Sequence, residues 1–110
     1  MIRSADAGPR GAEPAPRLLL VDDEEAVRMT LAAVLSREGY DVTAVASGSQ
    51  ALAVLESRGF DVVLSDLRLD DMDGLAVLSR AQELNPDVVT VVLTGYASME
   101  SAIDAIRRGV

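Results

Sequence analysis

Two apolar segments of this 110-residue chain run directly into aspartates, and a third runs into a threonine. Asp22 and Asp23 follow the first segment, Asp66 follows the second and Thr94 follows the third. The segments are residues 18–21, 62–65 and 88–93. Carboxylate oxygens suit Mg²⁺ or Mn²⁺, and a carboxylate can also accept a phosphoryl group as a nucleophile. If the segments are parallel strands, their carboxyl ends meet at one sheet edge and form a site for metal and phosphoryl chemistry.

Strand and helix patterns alternate from Arg17 onward. We expect strands at 17–22, 41–46, 60–66 and 87–94, and helices at 24–38, 49–58, 74–84 and from about 98 onward. In the third helix, Leu75, Leu78 and Ala81 are expected to face the core. Strict alternation favours an α/β fold with a doubly wound parallel sheet and helices on both faces. Ligands bind such sheets outside the carboxyl ends of the strands, where the strand order switches.

The composition argues against several classes of protein. The chain carries 18 acidic and 10 basic residues, a formal net charge of −8, which disfavours direct nucleic-acid binding. It contains no histidine or cysteine, so neither a zinc site nor a disulfide is expected. No segment reaches the roughly 20 apolar residues of a membrane span, and without a signal-peptide core we expect a cytoplasmic protein. Residues 1–16 contain three of the four prolines and are expected to be a flexible leader.

Each candidate residue also has a simpler explanation. Asp22 or Asp23 alone could cap the first helix, and Thr94 alone could be a turn residue at a strand end. Asp73, followed by a glycine, reads mainly as a helix cap and a turn. Asp66 is the hardest to explain in this way, because an aspartate at the end of a buried strand needs a partner. Acids gathered at one edge also repel each other unless a cation neutralises them, which favours a functional site.

Four short motifs resemble the receiver domain of bacterial two-component response regulators. They are Leu-Leu-Val-Asp-Asp-Glu at 19–24, Ser-Asp-Leu-Arg-Leu at 65–69, Met-Asp-Gly at 72–74 and Val-Leu-Thr-Gly-Tyr at 92–96. The resemblance covers residues 17–110, and the segment 94–105 is most similar to receivers of nitrogen-regulator-type transcription activators. The resemblance implies a flavodoxin-like (CheY-like) fold and a phosphoacceptor regulatory domain rather than an enzyme.

Carried over by position, the resemblance implies that Asp66 accepts a phosphoryl group from a sensor histidine kinase. Asp22 and Asp23 become the acidic pair that binds Mg²⁺ (or Mn²⁺) beside Asp66, with Asp23 the more direct ligand. The backbone carbonyl of Arg68 is implied as a further ligand. Thr94 is implied as the switch residue, through its hydroxyl group. Asp22 is grouped with Thr94 as a catalytic or switch residue, in addition to its role as a metal ligand. Phosphorylation would then act as a conformational switch for transcription regulation.

The chain departs from the family pattern in two places. Asp70 and Asp71 stand where the family often has proline and glycine, so we expect a looser and more acidic loop. Receivers normally continue into a fifth strand, a fifth helix and a lysine, whereas this sequence ends at Val110 and its basic residues are all arginine. We therefore expect four of the usual five βα units in a receiver spanning 17–110. We also expect self-association through an open 87–94 edge, and an effector domain downstream in the full gene.

Two other functions stay open from the residues alone. A receiver-like interaction module that has lost phosphorylation would show no Mg²⁺-dependent spectral shift. A small Mg²⁺-dependent phosphohydrolase would turn over a generic phosphoester. Such enzymes usually carry a second aspartate two residues after the nucleophile, and this chain has Arg68 at that position.

Overall fold

Strands and helices alternate along the chain as its pattern predicts. A computed structural model describes residues 14–93 and Asp104. The elements are β1 (Arg17–Val21), α1 (Glu25–Arg37), β2 (Asp41–Val45), α2 (Gly48–Ser57), β3 (Val62–Asp66), α3 (Gly74–Leu84) and β4 (Val89–Leu93). The strands form one parallel sheet in the order β2-β1-β3-β4. This confirms the α/β prediction, and the predicted ends of these elements lie within two residues of the observed ones.

The two central strands are buried on both faces, which is why their sequences are continuous apolar runs. Alternate residues of β1 therefore belong to two different cores. Leu18 and Leu20 pack with the α1 residues Leu31 and Leu35 on one face. On the other face lie Leu19, Val21 and Val63 of the strands, with Ala51 and Leu55 of α2 and Val77, Leu78 and Ala81 of α3. Helices thus cover both faces, as a doubly wound sheet requires.

Helix α3 corrects one predicted core position. Its buried residues are Gly74, Val77, Leu78 and Ala81, which is the i, i+3, i+4, i+7 stripe of an amphipathic helix. Leu75 was predicted to face the core and is instead 50% exposed. The prediction was wrong because Leu75 lies about 100° around the helix from Gly74, and the packed stripe includes that glycine.

The strand order places the ends of β1 and β3 side by side. The chain leaves β1 to one side and β3 to the other, so the switch in strand order lies between these two strands. Val21 is level with Ser65 in the parallel register, which brings the next residues, Asp22 and Asp66, to the same height. Asp66 in turn pairs with Leu93 of β4. Topology and register together gather the aspartates in the crevice where doubly wound sheets bind ligands.

The described strands leave β2 and β4 at the two sides of the sheet. Val89 and Val92 of β4 are 38% and 39% exposed, and self-association through 87–94 stays a prediction. The predicted last helix from about Ser98 lies outside the described residues except for Asp104, which is helical. Of the predicted leader 1–16, only 14–16 are described, and they are exposed without regular structure. In the part of the chain that the structure describes, no helix has the length and apolar character needed to cross a membrane.

Candidate functional site

Asp22 is built into the end of β1 by three hydrogen bonds. Its N–H donates to the Val45 carbonyl (3.2 Å) and extends the pairing with β2 by one residue. Its carbonyl accepts from the Arg28 guanidinium (2.8 Å), and its Oδ1 accepts from the Glu24 N–H (2.8 Å). The Asp22 residue is only 2% exposed. The N-cap of α1 is Glu24, which makes no side-chain cap bond, so capping that helix does not explain Asp22.

Asp66 is held at the end of β3 by its own neighbours. Its carbonyl accepts from the Ser65 hydroxyl (2.9 Å), and its Oδ1 accepts from the Arg68 N–H (3.1 Å). Gly74 lies against the same backbone, because a Cβ at this position would collide with the Asp66 carbonyl oxygen. The Gly74 N–H donates to the Leu67 carbonyl (2.7 Å). The start of α3 is therefore in contact with the residue that ends β3.

The predicted cluster forms: Asp22, Asp23 and Asp66 each offer a carboxylate oxygen, and these oxygens lie within 4.8 Å of one another. Oxygens on opposite sides of a Mg²⁺ ion are about 4.2 Å apart, since each is bound at about 2.1 Å. Small side-chain movements would bring the carboxylate oxygens from 4.8 Å to the separation that Mg²⁺ requires, or one carboxylate would bind the ion through a water. An all-oxygen, carboxylate-rich set is also what Mg²⁺ and Mn²⁺ prefer. The residues present fit a hard divalent cation.

The electrostatics of the cluster point the same way. Burial raises the pKa of Asp22 above its usual value, and the nearby charges of Asp66 and Asp23 raise it further. The charge of Asp23 and a hydrogen bond with Asp23 likewise raise the pKa of Asp70. Sequence reasoning did not include Asp70 in the site, although it did place Asp70 in an acidic loop close after Asp66. Negative charge thus accumulates here beyond what the protein neutralises, and a bound cation would relieve the repulsion.

The acidic 67–73 loop is held by hydrogen bonds within itself and to α2 and α3, which corrects the expectation of a looser loop. Leu69 N–H donates to the Met72 carbonyl (3.1 Å), and Asp73 caps α3 by accepting from the Leu75 N–H (2.9 Å), as predicted. Asp71 is the residue that sequence reasoning missed. Its two carboxylate oxygens accept from the N–H groups of Gly48 and Ser49, each at 2.9 Å, and these bonds lower its pKa. No local signal could reveal a contact that spans 23 positions.

Arg68 and Thr94 are the two remaining predicted site residues, and only Arg68 is among the described residues. Arg68 follows Asp66 in the loop and forms a bridge with Asp73. Within the described residues its backbone carbonyl accepts no backbone hydrogen bond, so that oxygen is free to serve as a ligand. Thr94 lies outside the described residues. Leu93, which precedes it, pairs with Asp66, and its carbonyl accepts from the Leu67 N–H (3.1 Å).

The buried charge of Asp22 gives a prediction for stability. In the metal-free protein at pH 7, Asp22→Asn is expected to raise the free energy of unfolding by about 1 kcal/mol. The asparagine oxygen can still accept from the Glu24 N–H, while the repelled charge is gone. A carboxyl whose pKa folding raises loses stabilisation as the pH rises through that pKa, so the gain should disappear below about pH 4.

Urea unfolding in the presence of a chelator measures this effect at the two pH values. Asp87→Asn, which removes an exposed charge at the opposite end of the strands, is the matched control and should change stability little. An Asp22→Asn protein less stable than the wild type at pH 7 in chelator would contradict the electrostatic account.

Comparison with known proteins identifies the family. The family model of the response regulator receiver domain matches residues 18–110. This chain belongs to the response regulator receiver domain family. The receiver domain of two-component systems is what the motifs at the sheet edge predicted. Its relatives include transcription regulators of the nitrogen-regulator type, which confirms the predicted subgroup.

Individual relatives support this assignment. The receiver is 40% identical over 92 residues to the transcriptional regulatory protein ZraR of Escherichia coli O157:H7, covering 84% of this chain and 21% of that protein. It therefore spans about a fifth of the length of the curated relatives it matches. Among solved structures, a CheY-like receiver from Methanospirillum hungatei JF-1 superposes with a TM-score of 0.70 at 34% identity, over 87% of this chain and 77% of that one.

A further similar structure contains a modified aspartic acid and a bound metal ion. A response regulator protein from Burkholderia pseudomallei was crystallised with a phosphorylated aspartic acid, a calcium ion and citrate. The receiver described here matches it with a TM-score of 0.68 at 35% identity, over 86% of this chain and 56% of that chain. The two folds are thus closely similar.

Proposed function

We propose that Asp66 is the phosphoacceptor of this receiver, and that Asp22, Asp23, Asp66 and the Arg68 carbonyl hold a Mg²⁺ (or Mn²⁺) ion beside it. The observation that carries this proposal is the convergence of three carboxylates in the crevice between β1 and β3. The related Burkholderia structure, with its phosphorylated aspartic acid and calcium ion, supports the same chemistry. We also propose that the receiver unit begins at Arg17 and that residues 1–16 lie outside it.

The reaction needs a nucleophile and a phosphoryl donor. A carboxylate oxygen of Asp66 attacks the phosphorus of a phosphohistidine on a sensor kinase. The new oxygen–phosphorus bond forms as the nitrogen–phosphorus bond breaks, and the imidazole keeps the electron pair of that bond. The product is an acyl phosphate on Asp66, with no change in oxidation state.

The residues around Asp66 prepare that oxygen for attack. The Arg68 N–H already binds Oδ1 (3.1 Å), which orients the carboxylate and leaves Oδ2 as the candidate nucleophile. A divalent cation supplies charge neutralisation between the carboxylates and the phosphoryl oxygens. Thr94 would donate its hydroxyl to the phosphoryl group as the switch residue. This role is supported by the pairing of the preceding residue, Leu93, with Asp66.

The partners follow from the chemistry and from the longer relatives. A sensor histidine kinase is the proposed donor, and an effector domain that regulates transcription is the proposed output, because the matched relatives are transcriptional regulatory proteins about five times the length covered here. We propose a regulatory role, in which the phosphoryl group on Asp66 is itself the signal. Turnover of a separate substrate is not part of this proposal.

Metal-dependent self-phosphorylation tests the proposed function. When the protein is incubated with Mg²⁺ and a small acyl phosphate, its intact mass is expected to rise by one phosphoryl group. The same incubation with excess chelator should give little or no increase, because the carboxylates would then repel the donor. Labelling that is equal with and without chelator, or no labelling at any Mg²⁺ concentration, would sink the proposal.

A further inference from the structure

We infer that Asp71 is a positioning residue for the metal site: its carboxylate fastens the 67–73 loop to the amino end of α2 and thereby fixes the loop residues that border the cation. The inference rests on the metal site proposed above. Asp71 does not belong to the carboxylate cluster, so its effect would pass through the loop. Three sets of contacts support this role: those at the amino end of α2, those at the loop tip (Asp71 and Met72), and those at the loop stem (residues 67–69).

The amino end of α2 uses Asp71 as part of its cap. The first turn of a helix has N–H groups without partners in the helix. Ser47 satisfies one of them, because its Oγ accepts from Gln50 N–H (3.1 Å), and its carbonyl accepts the first regular helical bond, from Ala51 N–H (3.1 Å). Two more of these N–H groups, on Gly48 and Ser49, donate to the two oxygens of Asp71 at 2.9 Å each. A charged acceptor at a helix amino end is also favoured by the helix dipole.

Met72 makes a second attachment beside the first. A Cβ on Gly48 would collide with the Met72 side chain, so the glycine leaves the space in which that side chain packs. Gly48 is buried, and Met72 packs against the core shared by α2 and α3. Consecutive loop residues, Asp71 and Met72, therefore both fix the loop tip to the start of α2.

Hydrogen bonds in the loop stem connect the loop tip to the proposed metal ligands. Leu69 N–H binds the Met72 carbonyl (3.1 Å), and Gly74 N–H binds the Leu67 carbonyl (2.7 Å). Between these two bonds lies Arg68, whose N–H binds Asp66 Oδ1 (3.1 Å) and whose carbonyl is the proposed ligand. A loop closed by these bonds moves as a unit. Releasing its tip at Asp71 would therefore displace both the Arg68 carbonyl and the Asp66 carboxylate.

The test compares Mn²⁺ affinity in two variants of the same helix end. Asp71→Asn keeps the shape but places an NH₂ group opposite one of the two N–H donors, which breaks the double contact. Ser47→Ala removes the helix cap on Gln50 N–H and leaves the loop contact intact. Binding is followed by the loss of the free Mn²⁺ signal in electron paramagnetic resonance, well below the unfolding temperature of each variant. Asp87→Asn corrects for the loss of one negative charge.

Asp71→Asn is expected to weaken Mn²⁺ binding about tenfold, as mutations of groups that orient metal ligands do. Ser47→Ala is expected to lower the melting temperature but to keep the Mn²⁺ affinity of the wild type, and Asp87→Asn should keep it too. Asp71→Ala, which removes both acceptors, should weaken binding at least as much as Asp71→Asn and provides a second variant if the first does not fold. An unchanged affinity in Asp71→Asn and Asp71→Ala, or an equal loss in Ser47→Ala, would overturn the positioning role alone. A wild-type protein that binds no Mn²⁺ would overturn the metal site together with this inference.

Discussion

Asp66→Asn is expected to abolish phosphoryl incorporation from a small acyl phosphate in Mg²⁺, where the wild type gains one phosphoryl group. The amide of asparagine is neutral and cannot form the acyl phosphate, while its shape and its acceptor for the Arg68 N–H are kept. The fold should therefore survive, and the effect should be on the chemistry. Intact-mass spectrometry of the two proteins, incubated side by side, measures the difference directly.

Asp73→Asn is the matched control for this experiment. Asp73 lies in the same acidic segment and accepts a hydrogen bond from Leu75 N–H as the N-cap of α3. Asparagine caps helices about as well as aspartate does, so this variant should fold and be labelled like the wild type. Labelling that persists in Asp66→Asn and is lost in Asp73→Asn would mean that the acceptor has been assigned to the wrong aspartate.

Gly74→Ala is expected to cost at least about 3 kcal/mol of unfolding free energy, the upper part of the usual range for overpacking. The added Cβ would collide with the carbonyl oxygen of Asp66 and lie close to the Cα of Leu67. These are half-buried backbone atoms at the end of β3 and just after it, and backbone atoms cannot rotate away as a side chain can. Relief would require α3 to move away from β3, separating the phosphoacceptor from the loop.

Gly59→Ala provides the comparison for this substitution. A Cβ at Gly59 meets no atom within 4 Å, so that variant should be neutral or gain up to about 1 kcal/mol from the smaller entropy of its unfolded chain. Urea unfolding of both variants gives the two free energies. If Gly74→Ala were as stable as Gly59→Ala, the close contact between α3 and Asp66 would be refuted.

The sequence predicts the fold and the carboxylate cluster well because both follow from local pattern and topology. A strand buried on both faces needs an unbroken apolar run, and a polar residue can follow only where the run leaves the core. Asp22 and Asp66 mark those points in β1 and β3. Once the strands are parallel and the order switches between them, the two carboxylates must meet. The residues therefore determine the site before any side-chain detail is known.

What the sequence did not predict depends on contacts between distant segments. The bond between Asp71 and the start of α2 forms only because the loop folds back across the sheet edge, and no periodicity encodes that path. The prediction for Leu75 was wrong for a related reason. The buried stripe of α3 begins at Gly74, where the close contact with the Asp66 backbone leaves no room for a side chain. Asp70 joined the site because the same loop path brings it to Asp23. Tertiary contacts, rather than propensities, decide these positions.

Locating the modified residue distinguishes Asp66 from every other possible phosphoacceptor in the chain. Borohydride reduces an acyl phosphate of aspartate to homoserine, which remains in the chain and can be located by peptide mass spectrometry. After labelling in Mg²⁺, homoserine is expected at position 66 of the wild type and at no other aspartate. Homoserine at position 22, 23 or 70 instead, or a phosphoryl group that survives reduction on a hydroxyl side chain, would contradict the assignment.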